Sequence, residues 1–207
     1  MVTPFNEDLS VDFESLTKLI EFNIENGTNF LVVLGTTAEA ATLSLEEKKQ
    51  VIQHVIKINN QRLPLVLGIG GNNTYEVKRE IESADLSALE AILSVSPYYN
   101  KPNQEGLYRH YQVLAETGKK IIIYNVPSRT GQNIEAVTTL RLANEFPNLF
   151  MIKEAAPNIL QYFDILRKKP AHFSLVSGDD EFTLPVTLAG GDGVNFVIGQ
   201  AYPKEFS

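Results

Sequence analysis

The sequence has 207 residues, 43% of them apolar and 21% charged, with a formal net charge of -7 and no cysteine. An acidic chain of ordinary globular composition offers no electrostatic footprint for nucleic acid or an anionic membrane. The absence of cysteine removes disulfides, thiolate metal sites and cysteine nucleophiles from consideration. No apolar run approaches the roughly 20 residues that span a bilayer. The opening Met1-Val2-Thr3-Pro4-Phe5-Asn6-Glu7 has no basic region leading into an apolar stretch, so a cytoplasmic location is expected.

Short β-branched runs alternate with helical patterns along the chain. Phe13, Leu16, Ile20 and Ile24 recur at helical spacing, with Gly27 as a stop. The apolar run Phe30–Leu34 follows. Ser44 and Glu47 form a capping-box pattern ahead of Val51, Val55 and Ile58. Then come a strand at Leu63–Leu67, a helix from Thr74, a strand at Ala91–Val95 and a helix at Gln104–Thr117. They are followed by a strand at Ile121–Tyr124, a helix at Ile134–Phe146 and a strand at Leu149–Lys153. The last elements are a helix at Ile159–Lys168, a strand at Phe173–Ser177, a helix at Phe182–Leu188 and a strand at Val194–Ile198.

Strands that read as continuous apolar runs are buried on both faces, and strict alternation with helices implies parallel pairing through crossovers. An open doubly wound sheet and a closed (β/α)8 TIM barrel both fit. For a barrel, Thr3-Pro4-Phe5 resembles the loop leaving a first strand, and Tyr202-Pro203-Lys204-Glu205 the start of a further helix. The expectation is therefore a single α/β domain over 1–207. It would lack most of strand 1 and the C-terminal helical region, leaving apolar surface uncovered.

In a parallel barrel the loops after the strands build the site. Here they supply Gly35-Thr36-Thr37, Gly68-Ile69-Gly70-Gly71, Ser96-Pro97-Tyr98-Tyr99, Tyr124-Asn125-Val126-Pro127-Ser128-Arg129, Lys153-Glu154 and Ser177-Gly178-Asp179-Asp180. Lys153 ends an apolar stretch. Desolvation would lower its pKa and supply a neutral amine able to attack a ketone. Taken alone, a strand-end lysine more often just reaches water; its neighbours point the other way. The Tyr124 phenol could shuttle a proton. Thr36 and Thr37 could hold a carboxylate, or form an ordinary turn. Arg129 suits bidentate capture of a carboxylate, or a surface ion pair. The glycine run lacks the dinucleotide fingerprint and the P-loop lysine, and reads as a tight turn. Asp179-Asp180 reads as a helix cap rather than a metal site. His54, His110 and His172 fall outside the strand-end set and are given no catalytic role.

Four blocks carry a family resemblance: Gly35-Thr36-Thr37-Ala38-Glu39, Pro97-Tyr98-Tyr99-Asn100-Lys101-Pro102, Tyr124-Asn125-Val126-Pro127-Ser128-Arg129-Thr130-Gly131 and Ile152-Lys153-Glu154-Ala155. They resemble the pyruvate-dependent class I aldolases, the family of dihydrodipicolinate synthase and N-acetylneuraminate lyase. The resemblance implies that Lys153 forms a covalent imine with pyruvate and that no other cofactor or metal is needed. It implies a proton relay of Tyr124, Thr36 and Tyr99, the last reaching in from a neighbouring subunit. Thr37 would bind the pyruvate carboxylate and Arg129 that of aspartate semialdehyde, with Gly178 and Asn195 also lining the substrate site. The implied reaction is aldol condensation to 4-hydroxy-tetrahydrodipicolinate, on the route to diaminopimelate and lysine, in a homo-oligomer, dimer or tetramer. An aldolase for a 2-keto-3-deoxy sugar acid and a non-catalytic binding relative are the alternatives. Asn195 departs from the family, which has a small aliphatic residue there. Asn72, Glu76 and Tyr98 match the lysine-binding regulatory pocket of inhibited members, whereas Lys48 and Leu45 do not.

Overall fold

A computed structural model describes residues 1–195 and 197–206. The chain divides into two compact units. The first comprises residues 1–68 and 85–90 and the described residues from 197 onward. The second comprises residues 69–84 and 91–195.

In the first unit, helix α1 (Phe13–Glu25) starts where the Asp12 carboxylate accepts from the Ser15 N–H. Leu16 and Ile20 on its inner face are buried. Asn26 caps its end and Gly27 turns away at φ +90°. Strand β1 (Leu31–Val33) is shorter than expected at both ends, and Leu34 leaves the strand because its backbone is left-handed at φ +55°. Helix α2 (Leu45–Asn59) carries the expected capping box, with Ser44 and Glu47 each bonding the other's backbone. It packs on α1, and Arg62 grips Glu21 with both terminal nitrogens. Strand β2 (Leu65–Gly68) pairs in parallel with β1, Leu31 opposite Leu65. A Cβ at Gly68 would lie 2.3 Å from the Leu34 carbonyl oxygen. The first glycine of the run read as a tight turn is thus required by close backbone approach.

The second unit contains helix α3 (Thr74–Ser83) and strands β3 (Ala91–Val95), β4 (Ile121–Asn125), β5 (Leu149–Glu154), β6 (Ser174–Ser177) and β7 (Gly193–Val194). These strands pair in parallel in chain order. Between them run α4 (Gln104–Ala115), α5 (Pro127–Thr130), α6 (Ala136–Glu145), α7 (Ile159–Lys168) and α8 (Thr183–Leu188). Every residue of β4 is buried, as its unbroken apolar run requires.

Several boundaries differ for visible reasons. Helix α6 starts at Ala136 because Glu135 is extended at φ -66° and ψ 153°, and the Ile134 N–H before it donates to the Asn125 side chain. Helix α4 stops before Gly118, which turns at φ +68°. Helix α5 lies where the sequence suggests a loop, and it has Pro127 in its first turn and Gly131 past its end at φ +73°. The strand expected over Val194–Ile198 is instead Gly193–Val194, and Ile198 opens a 3-10 turn. Phe196, inside that expected strand, lies outside the described residues. Pro203 opens a short 3-10 turn, at the place where a helix start was read.

Candidate active site

The register of β4, β5, β6 and β7 sets Tyr124 opposite Lys153, Lys153 opposite Val176, and Val176 opposite Gly193. Lys153 is the fifth residue of β5, and its half-buried side chain comes to rest between its neighbours' strand ends. Its Nζ donates to Asn195 Oδ1 at 2.9 Å. The same Nζ stands 4.5 Å from the centroid of the Tyr124 ring, within cation–π range. Burial pushes its pKa down to about 8, against the opposing attraction of the Asp180 carboxylate. A lysine so placed holds an appreciable neutral fraction at mildly basic pH, the form of the amine that can attack a carbonyl.

Gly178 has a steric part in this. A Cβ there would fall 2.9 Å from Lys153 Cε and 3.0 Å from Cγ. The lysine stem runs where any side chain at 178 would have to go. The Gly178 N–H meanwhile donates to the Glu154 carbonyl at 2.7 Å, holding the two strand ends together. Asp179 caps the turn that follows by accepting from the Glu181 N–H, in keeping with the reading of Asp179-Asp180 as a cap.

Arg129 sits in α5, exposed, four residues past the end of β4. Its short helix is hemmed in by Lys101, whose Cε would lie 2.7 Å from a Cβ at Gly131. Gln132 Nε2 reaches the Pro97 carbonyl at 3.4 Å, so the segment after β3 lies against the segment after β4. Tyr99, in that first segment, is 89% exposed and has a left-handed backbone at φ +71°. Thr36 and Thr37 belong to the other unit. They form a 3-10 turn over Thr36–Ala38 directly after β1, tied to the first residues of the chain by the Thr3 hydroxyl bonding the Ala38 carbonyl. The structure thus gathers Lys153, Tyr124, Gly178 and Asn195 into one cluster, with Arg129 on α5 and Tyr99 on a loop of the same unit.

The histidines have ordinary partners. His54 meets the Thr17 hydroxyl, His110 the Thr74 hydroxyl and His172 the Ala143 carbonyl. Burial pushes His110 down to about 4, keeping it neutral near pH 7. Among the described residues, no group of three or more His, Asp or Glu side chains could hold a metal ion.

Two charged groups at the site escaped the sequence reading. One is Asp180, whose field reaches Lys153 although its segment was read as a cap. The other is Glu154, a fully buried carboxylate next to Lys153. A charged residue on an interior strand, directly after the lysine, was the available signal.

The model of the dihydrodipicolinate synthetase family matches residues 1–206. A 4-hydroxy-tetrahydrodipicolinate synthase of Flavobacterium psychrophilum is 54% identical over all of this chain and 71% of its own length. The chloride-inhibited dihydrodipicolinate synthase of Acinetobacter baumannii, solved in complex with pyruvate, superposes with a TM-score of 0.95 at 42% identity, covering 100% of this chain and 71% of that one. A structure described as the first monomeric dihydrodipicolinate synthase variant matches with a TM-score of 0.95 at 37% identity, over 100% and 70% of the two chains. These likenesses agree with the (β/α)8 barrel class expected from the alternating elements. The chain belongs to the dihydrodipicolinate synthetase family.

Proposed function

We propose that the chain is a lyase of the class I aldolase type, condensing pyruvate with L-aspartate 4-semialdehyde to give 4-hydroxy-tetrahydrodipicolinate. The observation that carries this reading is Lys153 Nζ, lodged at a parallel strand end between the Tyr124 ring and the Asn195 amide. The names of the relatives and the pyruvate in the Acinetobacter baumannii complex support it.

In this reading the neutral Lys153 amine adds to C2 of pyruvate, and loss of water leaves an imine. The imine is the electron sink, so no other cofactor is needed. Loss of a proton from C3 gives an enamine, whose C3 attacks the aldehyde carbon. The α-amino group of the second substrate then attacks C2, closes the ring and expels Lys153. One water is lost overall. Tyr124, Thr36 and Tyr99 are assigned the proton transfers, Thr37, Gly178 and Asn195 the pyruvate end, and Arg129 the carboxylate of the second substrate. The exposure of Arg129 and Tyr99 supports roles toward an incoming substrate and a neighbouring subunit, and with them a homo-oligomer, dimer or tetramer. Among the described residues no helix is long and apolar enough to cross a membrane; a cytoplasmic location is part of the proposal.

Borohydride reduction in the presence of pyruvate, followed by peptide mass spectrometry, tests the first step: a reduced pyruvyl adduct on Lys153 is expected. Steady-state turnover with aspartate semialdehyde tests the second. No adduct on folded protein would leave a non-catalytic binding relative. Turnover of a 2-keto-3-deoxy sugar acid without any condensation would replace the second substrate.

A further inference from the structure

Successive residues of a strand point to opposite faces. Lys153 faces Tyr124 and Asn195; Glu154 therefore faces the helices. It is 0% exposed. Its Oε1 accepts from Asn125 Nδ2 at 2.7 Å and from the Ala156 N–H at 2.8 Å, and its Oε2 accepts from Gln161 Nε2 at 2.8 Å. A buried carboxylate is costly unless its lone pairs are met, and here three donors meet them.

Two of those donors, Asn125 and Gln161, are also engaged with one short stretch of chain. Asn125 Nδ2 reaches Asn133 Oδ1 at 2.8 Å, while Asn125 Oδ1 accepts from the Ile134 N–H at 3.0 Å. Gln161 Nε2 reaches the Ile134 carbonyl at 3.1 Å, and its Oε1 accepts from Asn133 Nδ2 at 2.7 Å. Gln104 adds a bond to the Asn133 carbonyl at 2.8 Å. Asn125 is the last residue before the segment that carries Arg129, and residues 133–134 are the first after it. Both ends of that segment are fastened around the same anion. Lys153 is the preceding residue of the same strand, so the fastening fixes the segment against the strand that carries the nucleophile.

We infer that Glu154 is a positioning residue: its buried carboxylate clamps both ends of the segment 126–132 and so sets where the Arg129 guanidinium stands relative to Lys153. Glutamine cannot replace it cleanly. An amide at 154 would turn an N–H2 toward either the Gln161 amide or the Asn125 and Ala156 donors. Turning Gln161 round to compensate would sacrifice its bond from Asn133. The carboxylate is needed as an acceptor on both oxygens. Burial pushes the carboxyl up to about 7, and the bonds from Gln161, Ala156 and Asn125 pull it back toward the ionised form.

This inference rests on the assignment of Arg129 to the carboxylate of the second substrate, and its test separates the two. In Glu154→Gln, pyruvate trapping on Lys153 stays within about twofold of the parent, while KM for aspartate semialdehyde rises on the order of tenfold or more, the split expected when an orienting group is lost. Asn133→Ala, which leaves all three donors to Glu154 in place, shows the same split to a smaller degree and serves where Glu154→Gln folds poorly. Amide exchange at Ile134 reads the clamp without any substrate, and it accelerates about tenfold or more in either single variant. Unchanged KM and unchanged exchange in folded Glu154→Gln would overturn the clamp. Faster exchange with unchanged KM would overturn its link to Arg129. A parent that forms no pyruvyl adduct refutes the aldolase reading, and the exchange result still decides the clamp.

Discussion

Residues 153 and 154 are covalent neighbours, and their surroundings could hardly differ more. Lys153 has one amide oxygen, one aromatic face and a carboxylate acting through space. Glu154 has three direct donors and no solvent. A single strand thus presents a sparsely partnered amine on one face and a carboxyl group with donors to both oxygens on the other. The pleat keeps them apart: the carboxylate that would quench the amine as an ion pair is turned to the opposite side. Few partners leave an amine free to react, and many partners hold a side chain and its neighbours in place.

The sharpest way to break the contrast is Lys153→Ala. Borohydride trapping of pyruvate should vanish and condensation should fall by at least about a thousandfold, as expected for loss of a covalent nucleophile. Gly178→Ala comes next. The added Cβ needs the space of Lys153 Cε and Cγ, so the amine is displaced and kcat/KM should drop about a hundredfold. Unchanged kcat/KM would mean that the lysine stem relocates freely. On the other face, Gln161→Leu leaves Glu154 Oε2 without its donor and should lower stability by about 2 kcal/mol in denaturant unfolding, with trapping retained. A smaller effect concerns pH. The trapping rate should rise through about pH 8 as Lys153 loses its proton. Because the folded pKa lies below the ordinary 10.5, the cost of burying the ammonium is fully present below about pH 8. It is relieved as pH climbs toward 10.5, so this group makes stability rise across that window. Asn195→Ala removes an acceptor that favours the ammonium, and should move the midpoint of the trapping profile downward. An upward move would show that Asn195 acts by orienting the neutral amine instead.

Much of the fold was legible because it follows from periodicity. Continuous apolar runs gave β3 and the body of β4 and β5, and Ser44 with Glu47 fixed the start of α2. The boundaries that moved did so through tertiary bonds or backbone signs that periodicity does not encode. Ile134 is apolar and helical in pattern, yet Glu135 after it is extended and α6 begins only at Ala136, while a side chain from β4 binds the Ile134 N–H. Leu34 continues an apolar run and still leaves the strand, because its φ is positive. Helix α5 was hidden by its brevity, although Pro127 and Gly131 bracket it. At the site, Lys153, Tyr124 and Gly178 were recognisable as strand-end residues, and register brought them together. Asn195 stands out in the sequence as a polar residue where the family has a small aliphatic one, but one dimension does not show that its partner is the lysine. Glu154 stands in the same block as Lys153, but nothing in one dimension shows that Asn125, Gln161 and the Ala156 N–H converge on it.

The depressed basicity of Lys153 also makes it a chemical handle. Mild acylating or carbamylating reagents react with free amines and not with ammonium ions. Near pH 8, an ordinary surface lysine is almost wholly protonated, while Lys153 is divided about evenly between the two forms. A limiting dose of such a reagent should therefore mark this side chain ahead of the exposed lysines. A fluorescent or affinity label could then be seated at the strand end without engineering a cysteine into a chain that has none.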